Sequence, residues 1–252
     1  MSSAVIGGYA RTPFHFARKG KLTSVRPDDL AAIVLRALVA RLGIEPALIE
    51  DVVMGCAYPD GEQGTNVGRI AALLAGFPDT IGGATINRCC GSSMTAVHYA
   101  AGQIAIGAGE AFVCAGVESM GQTAENVAAR YHVSRLEQEQ FALVSQPKAA
   151  AAFAAGRLSA ELSAVPTPDG PVEVDGCLRP QTTLEGLAQL KPAFGGTVTA
   201  GTASPLTDGA AAVLVCSEEF ARMHGLDALA RIRATAVAGV APPSSSAKAH
   251  RS

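Results

Sequence analysis

The residues with the clearest capacity for covalent chemistry are two adjacent cysteines in the run Ile86-Asn87-Arg88-Cys89-Cys90-Gly91-Ser92-Ser93-Met94. An apolar run over 81–86 reads as a short strand leading in, and 95–108 reads as a small, apolar helix leading out. Cys90 therefore sits at a sharp strand-to-helix corner. Unpaired N–H groups at a helix start favour negative charge nearby. A thiol placed there spends more of its time as the nucleophilic thiolate. Gly91 would let a substrate come close to the backbone. This chemistry is acyl transfer through a thioester on Cys90. Cys89 is expected to face the opposite way and to pack. The plain alternative for any one of these thiols is a buried structural cysteine. That reading suits Cys56, Cys114 and Cys216, which lie in or beside apolar, strand-like runs.

The remaining chemistry is mostly excluded. The six cysteines form no Cys-x-x-Cys pair, so neither a zinc ribbon nor a thioredoxin-type motif is suggested, and no metal site is expected. The glycine-rich loop over 55–68 lacks the GxxxxGK pattern of a phosphate cradle and reads as a site-edge or dimer loop. A net charge of -2 gives no argument for nucleic acid or an anionic membrane. The least polar long segment, 99–117, carries Gln103, Glu110 and four glycines, which suits a buried helix-turn-strand better than a membrane span. The first residues show no basic-apolar-small signal pattern, so a cytoplasmic protein is expected.

The elements that must hold the corner follow from periodicity. With 48% hydrophobic and 17% charged residues and no Trp, the 252-residue chain reads as an Ala- and Gly-rich α/β protein with a sizeable core. Strands are expected at 4–8, 51–56, 84–87 and 111–116. Helices are expected at 30–42, opened by Pro27, Asp28 and Asp29 and ended by Gly43, and at 66–75 and 95–108. This alternation argues a mostly parallel sheet with helices on both faces, with ligands at the carboxyl ends of its strands. Beyond Met120, helices are expected at 122–130 and 137–155. Ser134 and Glu137 form a capping box, and Pro147 should interrupt and kink the second helix. A loop or hairpin over 160–176, a short helix at 183–190, a loop at 197–204, a strand at 209–216, a helix at 218–223 and a last strand at 230–240 complete the reading. The Pro/Ser/Ala tail over 241–252 is expected to be disordered.

The corner motif Asn87-Arg88-Cys89-Cys90-Gly91-Ser92-Ser93-Met94 resembles the nucleophile motif of the thiolase family, which comprises acetyl-CoA acetyltransferases and 3-ketoacyl-CoA thiolases. Further stretches resemble the same family in the same order. They are Gly116-Val117-Glu118-Ser119-Met120, Gln122-Thr123-Ala124-Glu125-Asn126-Val127-Ala128, Lys191-Pro192-Ala193-Phe194, Gly196-Thr197-Val198-Thr199-Ala200-Gly201 and Asp208-Gly209-Ala210-Ala211-Ala212. The resemblance covers most of residues 1–240. It implies a layered α-β-α thiolase-like fold, the N-terminal half only, with a shortened loop domain. Its domains would be 1–119 with 200–226, a CoA-contacting loop domain at 120–199, and at 227–240 the start of an absent C-terminal domain.

What the resemblance implies for function is specific. Cys90 would attack the keto carbonyl of a 3-ketoacyl-CoA, release acetyl-CoA and pass the acyl group to CoA; the reverse is a condensation of two acyl-CoAs. The Cys90 N–H would be one oxyanion donor. Arg179 would lie against the CoA adenine, Ser204 beside the pantetheine arm and Met120 in the acyl pocket. CoA and acyl-CoA are substrates, no cofactor is held permanently, and the setting is fatty acid metabolism. Three departures stand against full activity. The Asn-Glu-Ala-Phe, Gly-His-Pro and Cys-x-Gly-Gly-Gly motifs of the family's second domain do not occur in this sequence, Glu118-Ser119-Met120 runs straight into the Gln122 helix, and Thr202 and Pro205 replace the usual Asn and Gly around Ser204. His98 cannot replace the missing base, since eight residues along a helix is about 12 Å. Losing a general base costs about 10²–10⁴ in rate. Impaired turnover is therefore expected, the alternative being a non-catalytic remnant or partner subunit. The apolar helix after Cys90 would lack its covering partner, so a homo-oligomer (a dimer rather than a tetramer) or self-association is expected.

Overall fold

The computed structural model describes residues 3–17, 19–117, 128, 131–193 and 196–238. Met120, Phe194, the tail at 241–252 and, apart from Ala128, the helix expected over 122–130 lie outside the described residues. The chain divides into two compact units. One comprises 1–120, 149–178 and 205–232; the other comprises 121–148, 179–204 and 233–252.

The first unit is built on a six-stranded sheet of order β4-β3-β5-β7-β1-β8. Its strands are β1 (Ala4–Arg11), β3 (Asp51–Gly55), β4 (Gly82–Ile86), β5 (Ala111–Val117), β7 (Ala210–Ser217) and β8 (Ala230–Arg231), and a separate pair joins β2 (His15–Phe16) to β6 (Thr207–Asp208). β3 runs parallel to both β4 and β5. Those pairs are linked by α2 (Val67–Leu74) and α3 (Ser92–Ala105), the crossovers that parallel pairing requires. The expectation of a mostly parallel sheet fails beyond β5. β7 enters between β5 and β1 and is antiparallel to both, and β8 is antiparallel to β1. β7 arrives after the long excursion from β5 rather than through a single crossover helix, so nothing in the connection imposes the parallel sense. The strand expected over 230–240 shrinks to Ala230–Arg231, with 232–238 outside any strand.

The sheet is covered on both faces, as alternation along its strands requires. On one face α1 (Pro27–Leu42), α2 and α6 (Glu218–Met223) enclose the larger core, with Val52, Met54, Val113, Ala115, Leu214 and Cys216 pointing into it. On the other face α3 packs on Val53, Phe112, Cys114 and Val215. α1 starts at Pro27 with Asp28 and Asp29 in its first turn and stops at Gly43, whose φ of 63° is the left-handed cap that glycine adopts freely. The hairpin expected over 160–176 forms around a Val165–Val172 pairing. It is tied to β1 by Arg11, which donates through Nε to Glu161 at 2.7 Å and through both terminal nitrogens to Asp175 at 2.8 and 2.9 Å.

α3 is set on the sheet through glycines. Gly55 closes β3 and pairs in register with Gly116 of β5. A Cβ at Gly55 would strike the backbone of Ser92 and Ser93, and one at Gly116 would strike the Ser93 Oγ. Only a bare backbone at both strand ends admits the first turn of α3. Along the helix, Ala96, Ala100 and Ile104 are buried on the sheet side. Elsewhere on the helix Met94 is 61% and Tyr99 40% exposed, with Ile106 just past the end at 76%. Among the described residues, the buried apolar side chains of the helix face the sheet.

The second unit holds residues 135–148 of α4 (Arg135–Ala154) and all of α5 (Leu184–Ala188), and Arg135 joins the two helices there. Its Nη2 donates to the carbonyls of Leu187, Ala188 and Leu190, while its Nε holds Glu139 at 2.7 Å. The capping box expected from Ser134 and Glu137 is present: the Ser134 N–H and hydroxyl both donate to Glu137 Oε2, and the Glu137 N–H donates to Ser134 Oγ. Pro147 lies inside α4 without ending it.

Gly55→Ala should force the start of α3 off the sheet and cost about 1–3 kcal/mol in urea unfolding, as overpacking does. An unchanged midpoint would contradict the tight seat. The Glu137 carboxyl is held below the usual carboxylate range, first by the Ser134 hydroxyl and then by the Ser134 N–H. A lowered folded-state pKa gives stability that is present above the unfolded pKa and is lost as pH falls through the folded one. The difference in unfolding midpoint between the unmodified chain and Glu137→Ala should accordingly exist near neutral pH and shrink on acidification.

Candidate active site

The candidate site begins where β4 ends at Ile86, and α3 begins six residues later at Ser92. The corner expected around Cys90 is real, and both Cys89 and Cys90 are exposed. Cys89 does not pack, contrary to expectation. It carries a φ of 47°, in the left-handed region that non-glycine residues rarely occupy. The sharp reversal thus falls on Cys89 and turns its side chain outward. Nor does Gly91 play the part of the close-approach glycine. It caps α3 at φ -92°, and a Cβ there would meet nothing nearer than 3.4 Å, the Arg88 carbonyl. The close approach lies beneath the corner, at Gly55 and Gly116.

Polar groups inside the corner account for its shape. Asn87 Nδ2 donates to the Ala57 carbonyl at 2.9 Å, and Asn87 Oδ1 accepts from the Cys89 N–H at 2.9 Å. Ser92, only 3% exposed, accepts from the Arg88 N–H at 2.9 Å and donates to the Cys89 carbonyl at 2.6 Å. The Gly91 N–H donates to Arg88 and the Ser92 N–H to Cys89. The N–H groups of Cys89, Gly91 and Ser92 are spent within the turn, whereas that of Cys90 donates to no group among the described residues. That N–H is free for a developing oxyanion. Beside the corner, Met94 and Val97 of α3 face Cys114, Gly116, Ala211 and Val213 across an apolar groove of about 210 Å³.

The other thiols behave as the sequence suggests. Cys56, Cys114 and Cys216 are buried. Burial pushes the Cys114 thiol far up, with a smaller contribution from the charge of Asp51, and pushes Cys216 up to about 11. Both are thereby held as unreactive thiols at neutral pH. Asp51, at the start of β3, is itself raised by burial, and its Oδ1 lacks a hydrogen-bond partner.

Arg179 and Ser204 belong to the second unit, and Cys90 to the first. Arg179 is exposed at a turn, where its N–H donates to Gln146 Oε1 at 2.7 Å and its carbonyl accepts from Thr182. Ser204 is exposed at the end of a tight loop. There Thr202 Oγ1 accepts from the Thr199 N–H at 3.0 Å, and the Ala203 N–H donates to the Thr199 carbonyl. Thr202, a departure from the pattern around Ser204, therefore closes the loop with its own hydroxyl. Met120 lies outside the described residues. Residues that sequence reasoning passed over are Asn87, Ser92, Gly55 and Gly116. A signal for the first two was available, since an Asn two residues before and a Ser three residues after Cys89 are the spacings of local side-chain-to-backbone bonds. No local signal marks the glycines, whose role depends on a neighbouring element.

An exposed thiol on a strand-to-helix turn of a layered α/β unit, with an unspent N–H at the same residue, defines a protein class built for covalent acyl chemistry. Comparison with known proteins makes this particular. The family described as "Thiolase, N-terminal domain" matches residues 4–123 and 119–219. The chain is 42% identical to a 3-ketoacyl-CoA thiolase of Shewanella denitrificans, over 95% of its own length and 71% of the relative's. It is also 42% identical to the 3-ketoacyl-CoA thiolase of Pseudoalteromonas translucida, over 96% and 71%. Among solved structures, human mitochondrial 3-ketoacyl-CoA thiolase in complex with CoA superposes with a TM-score of 0.85 at 30% identity, covering 92% of this chain and 69% of that one. The chain belongs to the thiolase family, whose function is acyl transfer with CoA. Among the described residues, no helix is long and apolar enough to cross a membrane.

Brief iodoacetamide treatment with site-resolved peptide mapping should label Cys89 and Cys90 first, leaving Cys56, Cys114 and Cys216 unlabelled until the chain is unfolded. Early labelling of Cys114 would contradict its assigned burial.

Proposed function

We propose that this chain carries the acyl-accepting half of a thiolase reaction, with Cys90 as the nucleophile. The observation that carries the reading is the exposed Cys90 on the β4–α3 turn with its own N–H unspent. In the thiolytic direction the Cys90 thiolate attacks the C3 carbonyl of a 3-ketoacyl-CoA. The C2–C3 bond breaks, its electron pair leaves with C2, and C2 takes a proton to give acetyl-CoA. The acyl group stays on Cys90 as a thioester until the thiolate of a second CoA attacks it and Cys90 leaves. The Cys90 N–H donates to the carbonyl oxygen while it carries negative charge, a contribution that typically lowers the barrier by about 3–4 kcal/mol.

The remaining assignments rest on resemblance, joined for Arg179 and Ser204 by their exposure. Residues 120–199 are the CoA-contacting loop domain, with Arg179 against the adenine, Ser204 along the pantetheine arm and Met120 lining the acyl pocket. CoA and acyl-CoA are substrates, with no resident cofactor. A reducing, cytoplasmic setting is in keeping with buried Cys56, Cys114 and Cys216 as thiols. Since the Gly-His-Pro and Cys-x-Gly-Gly-Gly motifs do not occur in the 252 residues, the proposal is confined to formation of the acyl-enzyme, with weak turnover. The exposed apolar side chains of Tyr99 and Ile106, on one side of the helix, favour a second, compatible reading in which the chain self-associates through α3.

Incubation with acetyl-CoA followed by intact-mass measurement should reveal one acetyl adduct on the unmodified chain, absent from Cys90→Ala. No adduct, or the same adduct in Cys90→Ala, would sink the assignment of the nucleophile.

A further inference from the structure

We infer that Ser92 is the positioning residue of the site: it holds the turn that aims Cys90, acting through Cys89 rather than touching substrate. The inference rests on the reading of Cys90 as the acyl acceptor and adds a residue to it. Cys89 occupies a strained left-handed conformation, φ 47°, which persists only if its surroundings over-determine it. Two side chains do so. Asn87 accepts from the N–H of Cys89, and Ser92 donates to its carbonyl, so the Cys89 residue is gripped at both ends.

The two grips differ in strength. Asn87 is exposed, and water can replace its bonds. Ser92 is 3% exposed, and its one hydroxyl serves both directions, accepting from the Arg88 N–H and donating to the Cys89 carbonyl. Its backbone is also pressed against Gly55, so the hydroxyl is fixed relative to the sheet as well as to the turn. Removing that hydroxyl leaves the Arg88 N–H without its partner and leaves the Cys89 carbonyl with the Ser92 N–H alone. The φ of Cys89 then relaxes, and rotation there swings the Cys90 Sγ and the Cys90 N–H away from a common approach to one carbonyl. A bulky acyl-CoA needs both groups aligned, whereas a small alkylating agent needs only an exposed thiol. Ser92 therefore governs acylation and not the general reactivity of Cys90.

The test compares Ser92→Ala with Thr95→Ala, a control that removes a neighbouring hydroxyl bonded to the Gly91 carbonyl rather than to Cys89. In Ser92→Ala the rate of Cys90 acetylation by acetyl-CoA should fall ~10-fold or more, the scale of about two lost part-buried hydrogen bonds. Iodoacetamide alkylation of the same thiol should change less than about twofold, as expected where exposure alone decides access. Thr95→Ala should leave the ratio of the two rates unaltered. A parallel fall in both rates, or no fall in acetylation, overturns the inference. Amide hydrogen exchange supplies a second readout that needs no acylation. Exchange over 87–92 should rise in Ser92→Ala while the later amides of α3 stay protected, and unchanged exchange over 87–92 also overturns the inference. If the unmodified chain takes no acetyl group, the acyl-accepting reading fails on its own, and exchange alone decides the role of Ser92. Should Ser92→Ala not fold, the unmodified chain still decides: the Arg88 amide must exchange as slowly as the hydrogen-bonded amides further along α3, and a fast Arg88 amide refutes the grip.

Discussion

Everything at the candidate site depends on how closely the start of α3 lies on the sheet. Gly55 and Gly116 stand side by side at the carboxyl ends of β3 and β5, and the backbone of Ser92 and Ser93 fills the space where their side chains would be. Five residues, 87–91, connect the end of β4 to the start of α3, a short strand-to-helix loop of ordinary length. The reversal is absorbed at one residue, Cys89, and the next residue, Cys90, is left at the apex with an exposed thiol and an unspent N–H. The tight seat, the strained φ and the presentation of the nucleophile are one constraint seen at three places.

The same seat divides the cysteines by environment. Cys114 lies beneath α3 on β5, where burial keeps its thiol protonated, while Cys90 stands only one turn of backbone away from the sheet in contact with water. Reactivity is thus partitioned by position relative to the sheet, without any charged neighbour assigned to the task. Away from the sheet, Tyr99 and Ile106 are exposed, and Met94 is exposed at the edge of the groove beside β5 and β7.

Much of this was legible in the residues. The order of strands and helices through residue 117, the Pro27 and Gly43 ends of α1, the capping box of Ser134 and Glu137 and the corner at Cys90 all follow from short-range patterns, because caps, turns and periodicity act within a few residues. The antiparallel entry of β7 between β5 and β1 did not follow, since apolar alternation in 210–217 is the same whichever way the strand runs. The last strand was overread at 230–240 for a related reason: an apolar run becomes strand only where an edge accepts it, and β1 pairs with just Ala230 and Arg231. Cys89 was assigned to packing because alternation across a corner suggests it, but a left-handed residue breaks alternation.

The sequence by itself determined the family and the place of the corner: a cysteine between a strand and a helix, in a motif whose surroundings resemble the thiolases in order and spacing. It could do so because a nucleophile and the turn that presents it are local objects, written in consecutive residues. The tertiary structure alone decided which groups make that turn work. Gly55 and Gly116 matter through contacts with residues that folding brings to them, and a glycine carries no mark of its future neighbour. Tertiary structure also decided which positions of α3 are buried among the described residues, since burial is a property of the layers present and not of the helix that they cover.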